Sequence, residues 1–598
     1  MIKERLAKLR ALMEREGLSA YLVMTEDFHG SEYVGDYFKC RRYMSGFTGS
    51  AGSLLVMKDM AGLWTDGRYF LQAEKELEGT GITLFKLQCE GVPRLSEFLA
   101  KNLPDSGKLG FDGRALNYRT AQAFGKLFEK EGKKITFVYE KDLVGEIWEN
   151  RPALSAKPVM LLDISCTGKS RADKLADVRK AMEGKRADYF VLSSLDDIAW
   201  LLNIRGDDVT CNPVVLSYLA VTKDSATFFV NEKTLSREVQ EALSADGVTF
   251  APYDAVYRYV ADIPDGKSLY VDDKKTNYAV MMNRREGVSL LTGDNFTLLP
   301  KCTKNATEVE NERKVHIRDG VAVTKLIYWL KHNVGKLPMT ELSVAEKYEE
   351  LRGGQENYMG PSFEPIIGYK EHGAIVHYSA TKESDVPLAP AGMVLMDTGG
   401  QYLEGTTDIT RTVALGPVTQ EEKEAFTLVL RGNLNLAAAK FKSGICGANL
   451  DYLARFPLWE KGLDYNHGTG HGVGCFLNVH EGPVNIHWRI GDPGKSHTPF
   501  DEGMVVSNEP GLYLEGKFGI RTENLIVCRK AEKTEYGQFL KFETLTMVPI
   551  DLDLVLTEQM SAHERELLNG YHAKVYQMIA PHLDEEEAAW LKEATRAV

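Results

Sequence analysis

The sequence contains no Cys-X-X-Cys pair, although cysteine occurs at eight positions: 40, 89, 166, 211, 302, 446, 475 and 528. Scattered single cysteines argue against a disulfide framework and predict reduced thiols in a cytoplasmic protein. Cys475 lies beside several histidines and could be a thiol ligand or nucleophile, but we favour a small apolar filler. No run of about eighteen apolar residues exists, so we expect no membrane span. Residues 1–23 lack an apolar segment behind a basic start and predict no signal peptide.

An excess of positive charge is also missing. Lys and Arg number 72 against 85 Asp and Glu, which gives a net charge of −13. This balance argues against nucleic acid as the main partner. The hydrophobic content of 43% and the charged content of 26% are those of a globular protein. A chain of 598 residues is too long for one hydrophobic core, so several domains are expected.

An internal repeat occupies the first half of the chain. Residues 5–24 align with residues 174–193, at an offset of about 169 residues. Each copy predicts a helix with apolar residues at spacings of three and four, a short turn and then a buried strand. Further strands follow in both copies. The repeat predicts two similar α/β domains, with a Pro-containing linker at residues 150–158.

The histidine-rich segment 462–483 reads GLDYNHGTGHGVGCFLNVHEGP. It combines His467, His471, His480 and Glu481 with six glycines. Several imidazoles in such a permissive backbone indicate a site that a metal or a substrate approaches closely. We expect Glu481 to hydrogen-bond within this loop. A metal site would need further ligands from elsewhere in the chain.

A first pair of candidate ligands lies in residues 392–416, which predict a hairpin. The apolar strand MVLM ends at Asp397, a Gly-rich turn follows, and the second strand TTDITRTVAL carries Asp408. A buried carboxylate without a partner is costly, and a bound cation would remove that cost. The alternative is one aspartate in a turn and another at a strand edge.

A second pair lies in residues 503–528, which follow the same pattern. The apolar strand MVVS is followed by Glu509, then by a predicted turn at Pro510-Gly511, and the return strand FGIRTENLIV carries Glu523. With His471, the two hairpins supply five candidate ligands. A thiol-free, carboxylate-rich set favours a pair of divalent ions such as Mn²⁺ or Co²⁺, with Zn²⁺ as an alternative, and such a pair activates water for hydrolysis.

These residues, in this order, resemble the ligands of the pita-bread metallopeptidases, which include methionine aminopeptidase, prolidase and aminopeptidase P. The segments SGFTGSAG, WTDGRYFLQA, LDDIAWLLNIRG, HGTGHGVGCFLNVHEGP and FGIRTEN extend the resemblance. They look like the long, three-domain, cytosolic type of Xaa-Pro aminopeptidase. The resemblance covers residues 5 to about 590. It implies an α/β (α+β) protein with two creatinase-like domains at 1–152 and 153–305, a pita-bread catalytic domain at 306–560 and a helical extension at 561–598.

By this resemblance, Asp397 and Asp408 bind metal, and Asp408 bridges the two ions. His471 and Glu509 bind one ion, and Glu523 bridges. A hydroxide shared by the two ions would then be the nucleophile. Glu509 would accept the proton of the attacking water.

The resemblance also assigns residues that face the substrate. His377 and His480 would position the scissile carbonyl and stabilise the oxyanion. His467 would line the proline pocket. We group Arg521 with these substrate-binding residues; it either steers the carboxylates or, as we favour, neutralises them.

The family removes an N-terminal residue from peptides with proline in second position, so peptides of this kind are the expected partners. Trp459 lies in a stretch resembling the one through which long aminopeptidase P chains form homodimers; the alternative is a core tryptophan. A prolidase that cleaves dipeptides usually has a single N-terminal domain, so the repeat argues against it. A catalytically inactive binding protein would have lost ligands, and all five are present.

Overall fold

The computed structural model describes residues 1–489 and 497–598, which form two compact units. The first unit comprises residues 1–162 and 169–297, and the second comprises residues 163–168 and 298–598. Both units contain helices and strands, as the predicted α/β (α+β) class requires. The four domain boundaries stay a prediction. None of the helices in the described ranges has the length and apolar character that a bilayer crossing requires.

The first unit contains two six-stranded sheets with the same topology. In spatial order, the first has strands Thr83–Lys86, Ala61–Thr65, Ser53–Met57, Ala20–Val23, Lys108–Phe111 and Thr136–Val138. The second has strands Val248–Pro252, Ala226–Val230, Ser217–Thr222, Tyr189–Leu192, Ser268–Val271 and Ser289–Thr292. In both sheets, the strand that comes first in the sequence is fourth in spatial order. It has one antiparallel and one parallel neighbour. The matching topology confirms the internal repeat.

The helices of the first unit pack their apolar faces on these sheets. They are Ile2–Glu16, Cys40–Ser45, Phe70–Leu77, Leu95–Asn102, Tyr118–Lys130, Leu143–Ile147, Arg171–Lys185, Leu195–Leu202, Arg237–Ala245, Ala255–Ala261 and Tyr278–Met282. The helix Ile2–Glu16 buries Leu6, Leu9 and Met13, which share one face. It ends at Gly17, whose backbone is in the left-handed conformation. Strands Met160–Leu161 and Ile204–Arg205 form a small additional pair.

The second unit surrounds several sheets with helices. The helices are Ile164–Thr167, Leu298–Cys302, Ala306–Asn333, Glu341–Gly353, Gln420–Ala437, Gly447–Trp459, Ala562–Ile579 and Glu585–Ala594. The largest sheet has, in spatial order, strands Lys440–Lys442, Gly537–Thr544, Asn524–Thr534, Val505–Asn508, Gly470–Gly472 and Glu481–Ile486. Three smaller sheets contain Ile366–Tyr369, Met393–Thr398 and Ile409–Ala414; Tyr358–Pro361, Gly400–Tyr402 and Gly405–Thr406; and Gly511–Leu514 with Phe518–Arg521.

The second predicted hairpin differs from the structure in the position of its turn. Strand Val505–Asn508 pairs with Asn524–Thr534, as expected, but the chain between them forms a hairpin of its own. The reversal lies at Gly516, whose φ is 70°. The predicted turn at Pro510-Gly511 is therefore wrong, because the left-handed backbone available to Gly516 closes the turn six residues later.

Candidate metal centre

The strand Met393–Thr398 places the first two carboxylates. It pairs with Ile409–Ala414, and Asp397 lies directly opposite Thr410 in the ladder. Asp408 immediately precedes the second strand. Both carboxylates are buried. The hairpin that the sequence predicts therefore brings the two aspartates to one end of the strand pair.

Glu509 and Glu523 are placed in the same way. Asn508 and Asn524 are opposite each other at the end of an antiparallel ladder. Glu509 follows the first strand and Glu523 precedes the second, so both glutamates leave the ladder at the same end. Ser507 Oγ donates to Glu509 Oε1 at 3.0 Å and so limits the freedom of that carboxylate.

His471 lies in the short strand Gly470–Gly472 of the same sheet. A Cβ on Gly470 would lie 2.0 Å from the carbonyl oxygen of Ser507, and one on Gly472 would lie 2.3 Å from that of Glu481. The glycines therefore allow the neighbouring strands to approach, which accounts for the glycine-rich sequence around the histidine. Nδ1 of His471 lies 3.0 Å from the carbonyl oxygen of Gly472, and this bond leaves Nε2 available as a ligand.

The ligand atoms of three predicted metal-binding residues converge. Those of Asp408, His471 and Glu523 lie within 4.8 Å of one another. Nε2 of His471 lies 3.4 Å from Oδ2 of Asp408 and 3.3 Å from Oε1 of Glu509. In the described ranges, Oδ1 of Asp397 and Oε1 of Glu523 are buried with no hydrogen-bond partner. Divalent cations would satisfy these oxygens, so the residues fit a metal centre.

The electrostatics of the cluster support this interpretation. Burial, together with the negative charges of Asp408 and Glu509, raises the pKa of Asp397 to about 6 although Arg521 opposes the shift. Burial and the same neighbours raise the pKa of Glu523 well above its ordinary value. The carboxylates are thus crowded with like charge, and positive charge between them would favour their ionised forms.

A chain of hydrogen bonds runs from Asp397 to the predicted proline pocket. Arg521 donates from Nη2 to Oδ2 of Asp397 at 2.5 Å and from Nη1 to the hydroxyl of Tyr513 at 2.6 Å. That hydroxyl lies 2.9 Å from Nε2 of His467. Sequence reasoning missed Tyr513. It could have been found only from the register of the hairpin, in which Gly511, two residues earlier, lies opposite Arg521.

The other predicted substrate-facing histidines border the cluster. The ring centroids of His471 and His480 lie 4.3 Å apart. His377 is half-buried in a turn, and the carbonyl oxygen of its neighbour Val376 lies 3.4 Å from Nη2 of Arg521. The geometry brings both histidines near the site, and their contacts with substrate stay a prediction.

The carboxylate of Glu481 does not hydrogen-bond within its loop, so that expectation is wrong for the side chain. Its carboxylate pairs with two buried lysines, Lys301 at 3.4 Å and Lys304 at a shorter distance. Burial favours this arrangement because an unpaired charge in the interior would be costly. Cys475 is buried, with its Sγ 3.2 Å from the carbonyl oxygen of Glu404. It is not part of the metal-binding group among the residues that the structure describes.

Comparison with known protein families finds four matches along the chain. The creatinase/prolidase N-terminal domain matches residues 5–141 and again residues 150–308. Metallopeptidase family M24 matches residues 310–530, and the C-terminal region of peptidase M24 matches residues 538–598. These matches confirm the expected order of two creatinase-like domains followed by a metallopeptidase domain.

Similar proteins align over almost the whole chain. A probable Xaa-Pro aminopeptidase P of Talaromyces marneffei is 38% identical, over 99% of this chain and 92% of its own length. Xaa-Pro aminopeptidase 1 of Dictyostelium discoideum is also 38% identical, over 99% of this chain and 96% of its own. The crystal structure of X-prolyl aminopeptidase from Caenorhabditis elegans, described as a cytosolic enzyme with a di-nuclear active site, is 34% identical with a TM-score of 0.95 and covers 100% of both chains.

Proposed function

Since the chain belongs to the Xaa-Pro aminopeptidase family of the M24 metallopeptidases, we propose that it removes the N-terminal residue from peptides whose second residue is proline. The chain is a hydrolase, a metallo-aminopeptidase with a pita-bread catalytic domain. Its relatives do not favour the prolidase-type dipeptidase or the inactive binding protein as alternatives.

The observation that carries the proposal is the convergence of Asp408, His471 and Glu523 beside buried carboxylate oxygens. We propose that these residues, with Asp397 and Glu509, hold two divalent ions, with Mn²⁺ preferred over Co²⁺ or Zn²⁺. Such ions supply a water of lowered pKa and polarise the scissile carbonyl. Asp408 and Glu523, whose ligand atoms lie with that of His471 within 4.8 Å of one another, would help to hold these ions.

The remaining roles belong to side chains of this chain. Glu509 accepts a hydrogen bond from Ser507, lies 3.3 Å from Nε2 of His471, and is proposed to accept the proton of the attacking water. His480 and His377 are proposed to donate hydrogen bonds to the scissile carbonyl oxygen as it gains negative charge.

Two further residues are assigned to the substrate side. His467, oriented by the hydroxyl of Tyr513, is proposed to line the proline pocket. Arg521 is proposed to neutralise Asp397 and, through Tyr513, to fix the pocket relative to the metals.

We also propose that the protein is a homodimer. Four aromatic residues form an exposed aromatic surface, each between 38% and 51% exposed: Tyr452, Phe456, Trp459 and Trp488. Their rings contact one another, with centroid distances of 5.3 to 6.4 Å. Exposed aromatic clusters of this kind mark interaction surfaces, and a second copy of the chain would cover this one.

A cytoplasmic location is proposed as well. The scattered cysteines form no disulfide among the described residues, and the relative from C. elegans is described as cytosolic.

A comparison of three peptides tests the activity. Purified protein with added Mn²⁺ should cleave Xaa-Pro-Xaa much faster than Xaa-Ala-Xaa or the dipeptide Xaa-Pro. Chelation should abolish hydrolysis, and elemental analysis should find up to two divalent ions. Preferred cleavage of the dipeptide would favour the prolidase alternative. Full activity after exhaustive chelation, with no metal detected, would overturn the proposal.

A further inference from the structure

A buried ion pair joins the helices Ala306–Asn333 and Glu341–Gly353. Nε of Arg352 lies 2.6 Å from Oδ1 of Asp319, and Nη2 lies 3.0 Å from Oδ2. Both side chains are almost completely buried. The hydroxyl of Tyr348 accepts a further hydrogen bond from Nη2 at 2.6 Å. None of the roles assigned above uses this pair.

Arg352 holds the residues that follow Asp397. Nη1 donates to the carbonyl oxygen of Gly399 at 2.8 Å, and Nη2 lies 3.4 Å from Oγ1 of Thr398. The planar guanidinium thus contacts Asp319 and the backbone behind the metal-binding aspartate at the same time. An ammonium group could not reproduce this fork of donors.

Asp319 holds the residue that precedes Asp408. Oγ1 of Thr407 donates to Oδ2 of Asp319 and accepts from the backbone nitrogen of Gly400 at 2.9 Å. The carbonyl oxygen of Thr407 accepts from Oγ of Ser362 at 2.8 Å. Thr407 is therefore fixed on both its side chain and its backbone.

We propose that Asp319 and Arg352 are positioning residues that set the separation of Asp397 and Asp408. The two aspartates lie at the two ends of one connecting segment, and the ion pair contacts that segment at both ends. This inference rests on the proposed function, because it takes both aspartates as metal ligands. Side chains that orient metal ligands govern affinity for the metal without touching it.

The matched variants are Asp319→Asn and Arg352→Lys. The first keeps the volume of the side chain and removes its charge, and the second keeps the charge and removes the fork. Both should raise the dissociation constant for Mn²⁺, measured by calorimetry on the metal-stripped full-length protein, by ~10- to 100-fold. Arg352→Lys should weaken Mn²⁺ binding although it keeps the positive charge, because the planar geometry of the guanidinium positions the connecting segment.

Glu564→Gln provides the control. Glu564 is buried in the same unit and pairs with Arg431 at 3.0 Å, but between the helices Gln420–Ala437 and Ala562–Ile579. Glu564→Gln should lower the unfolding temperature while leaving the affinity for Mn²⁺ within about threefold of wild type. If Asp319→Asn and Arg352→Lys behave like this control, the pair serves stability alone and the proposal is refuted.

A milder variant covers the case in which neither substitution folds. Thr407→Val keeps the shape of the side chain, leaves the ion pair intact and removes only the hydroxyl that binds Asp319. It should still weaken Mn²⁺ binding, and unchanged binding would overturn the proposal. Wild-type protein that binds no Mn²⁺, Co²⁺ or Zn²⁺ would refute the proposed ligands themselves, an outcome distinct from unchanged affinity in the variants.

Discussion

Nη2 of Arg521 lies 2.5 Å from Oδ2 of Asp397, and both side chains are buried. The other carboxylate oxygen, Oδ1, has no hydrogen-bond partner among residues 1–489 and 497–598. The guanidinium therefore compensates part of the carboxylate charge and leaves one oxygen to face a cation. A second donor of the same guanidinium binds Tyr513.

Arg521→Lys should separate charge from geometry. An ammonium group keeps the positive charge but cannot bind Asp397 and Tyr513 in the same planar arrangement. A hydrogen bond to a charged group contributes about 1.5–3 kcal/mol, so kcat/KM should fall by roughly 10- to 100-fold. Steady-state kinetics on an Xaa-Pro-Xaa peptide measures this.

Tyr513→Phe is the matched variant, because it keeps the ion pair and removes one hydroxyl. It should leave the affinity for Mn²⁺ unchanged and impair peptide hydrolysis, since Nε2 of His467 loses its contact with the Tyr513 hydroxyl. If Arg521→Lys retains kcat/KM within about threefold of wild type, charge alone suffices and the geometric role is wrong.

The sequence predicted those features that depend on local pattern. The candidate ligands Asp397 and Glu509 lie at the ends of continuous apolar strands, where an acidic residue interrupts the apolar pattern of the sequence. The repeat was visible because its two copies keep their spacing. The order of the domains and the family were predicted from motifs that span almost the whole chain.

The contacts that the sequence could not reveal join distant segments. Glu481 pairs with Lys301 and Lys304, which are 180 and 177 residues away along the chain. The contact of Tyr513 with Arg521 follows only from the register of a hairpin whose turn the sequence pattern predicts at the wrong residues. Neither kind of information is present in local periodicity.

Trp459 should be an anchor of the proposed dimer. It is 39% exposed at the end of helix Gly447–Trp459, which excludes a core role. Trp459→Glu places a charge in the exposed aromatic surface and should yield a folded monomer in analytical ultracentrifugation.

A second exposed aromatic residue gives the control for this experiment. Tyr536 is 70% exposed on the same unit, and the ring contacts of the exposed aromatic surface among the described residues do not include it. Tyr536→Glu should leave the dimer intact. A Trp459→Glu protein that stays dimeric would place the interface elsewhere.

His572 should make stability depend on pH. Burial, with the charges of Arg411 and Arg596, lowers its pKa from 6.5 to about 4, and Nε2 accepts a hydrogen bond from the backbone nitrogen of Ile550 at 3.0 Å. Between these pH values the unfolded chain binds the proton and the folded protein does not. Stability is therefore fully present above pH 6.5 and falls as the pH drops towards 4, by about 3 kcal/mol for this group.

His572→Gln tests this expectation. Glutamine can accept the hydrogen bond from Ile550 but does not titrate. The decrease in unfolding temperature from pH 7 to pH 5 should be smaller in the variant than in the wild type. His316, whose pKa burial also lowers to about 4, titrates in both proteins and cancels in the comparison. Equal decreases would show that His572 does not contribute.

Glu509 gives the sharpest test of the chemistry. Its carboxylate directly follows the buried strand Val505–Asn508, accepts from Oγ of Ser507 and lies 3.3 Å from Nε2 of His471. Glutamine keeps the size and one acceptor oxygen of this side chain but cannot accept a proton. Loss of a general base costs on the order of 10²–10⁴ in rate.

We therefore expect Glu509→Gln to keep at least one metal ion, to bind substrate-like inhibitors nearly normally and to turn over more slowly by at least that range. Ser507→Ala is the control, because it frees the carboxylate without removing its basicity and should cost far less. Pre-steady-state kinetics with parallel elemental analysis distinguishes loss of the base from loss of metal. If turnover of Glu509→Gln falls less than about tenfold with the metal intact, another group accepts the proton. His480, whose ring centroid lies 4.3 Å from that of His471, would then be the next residue to replace.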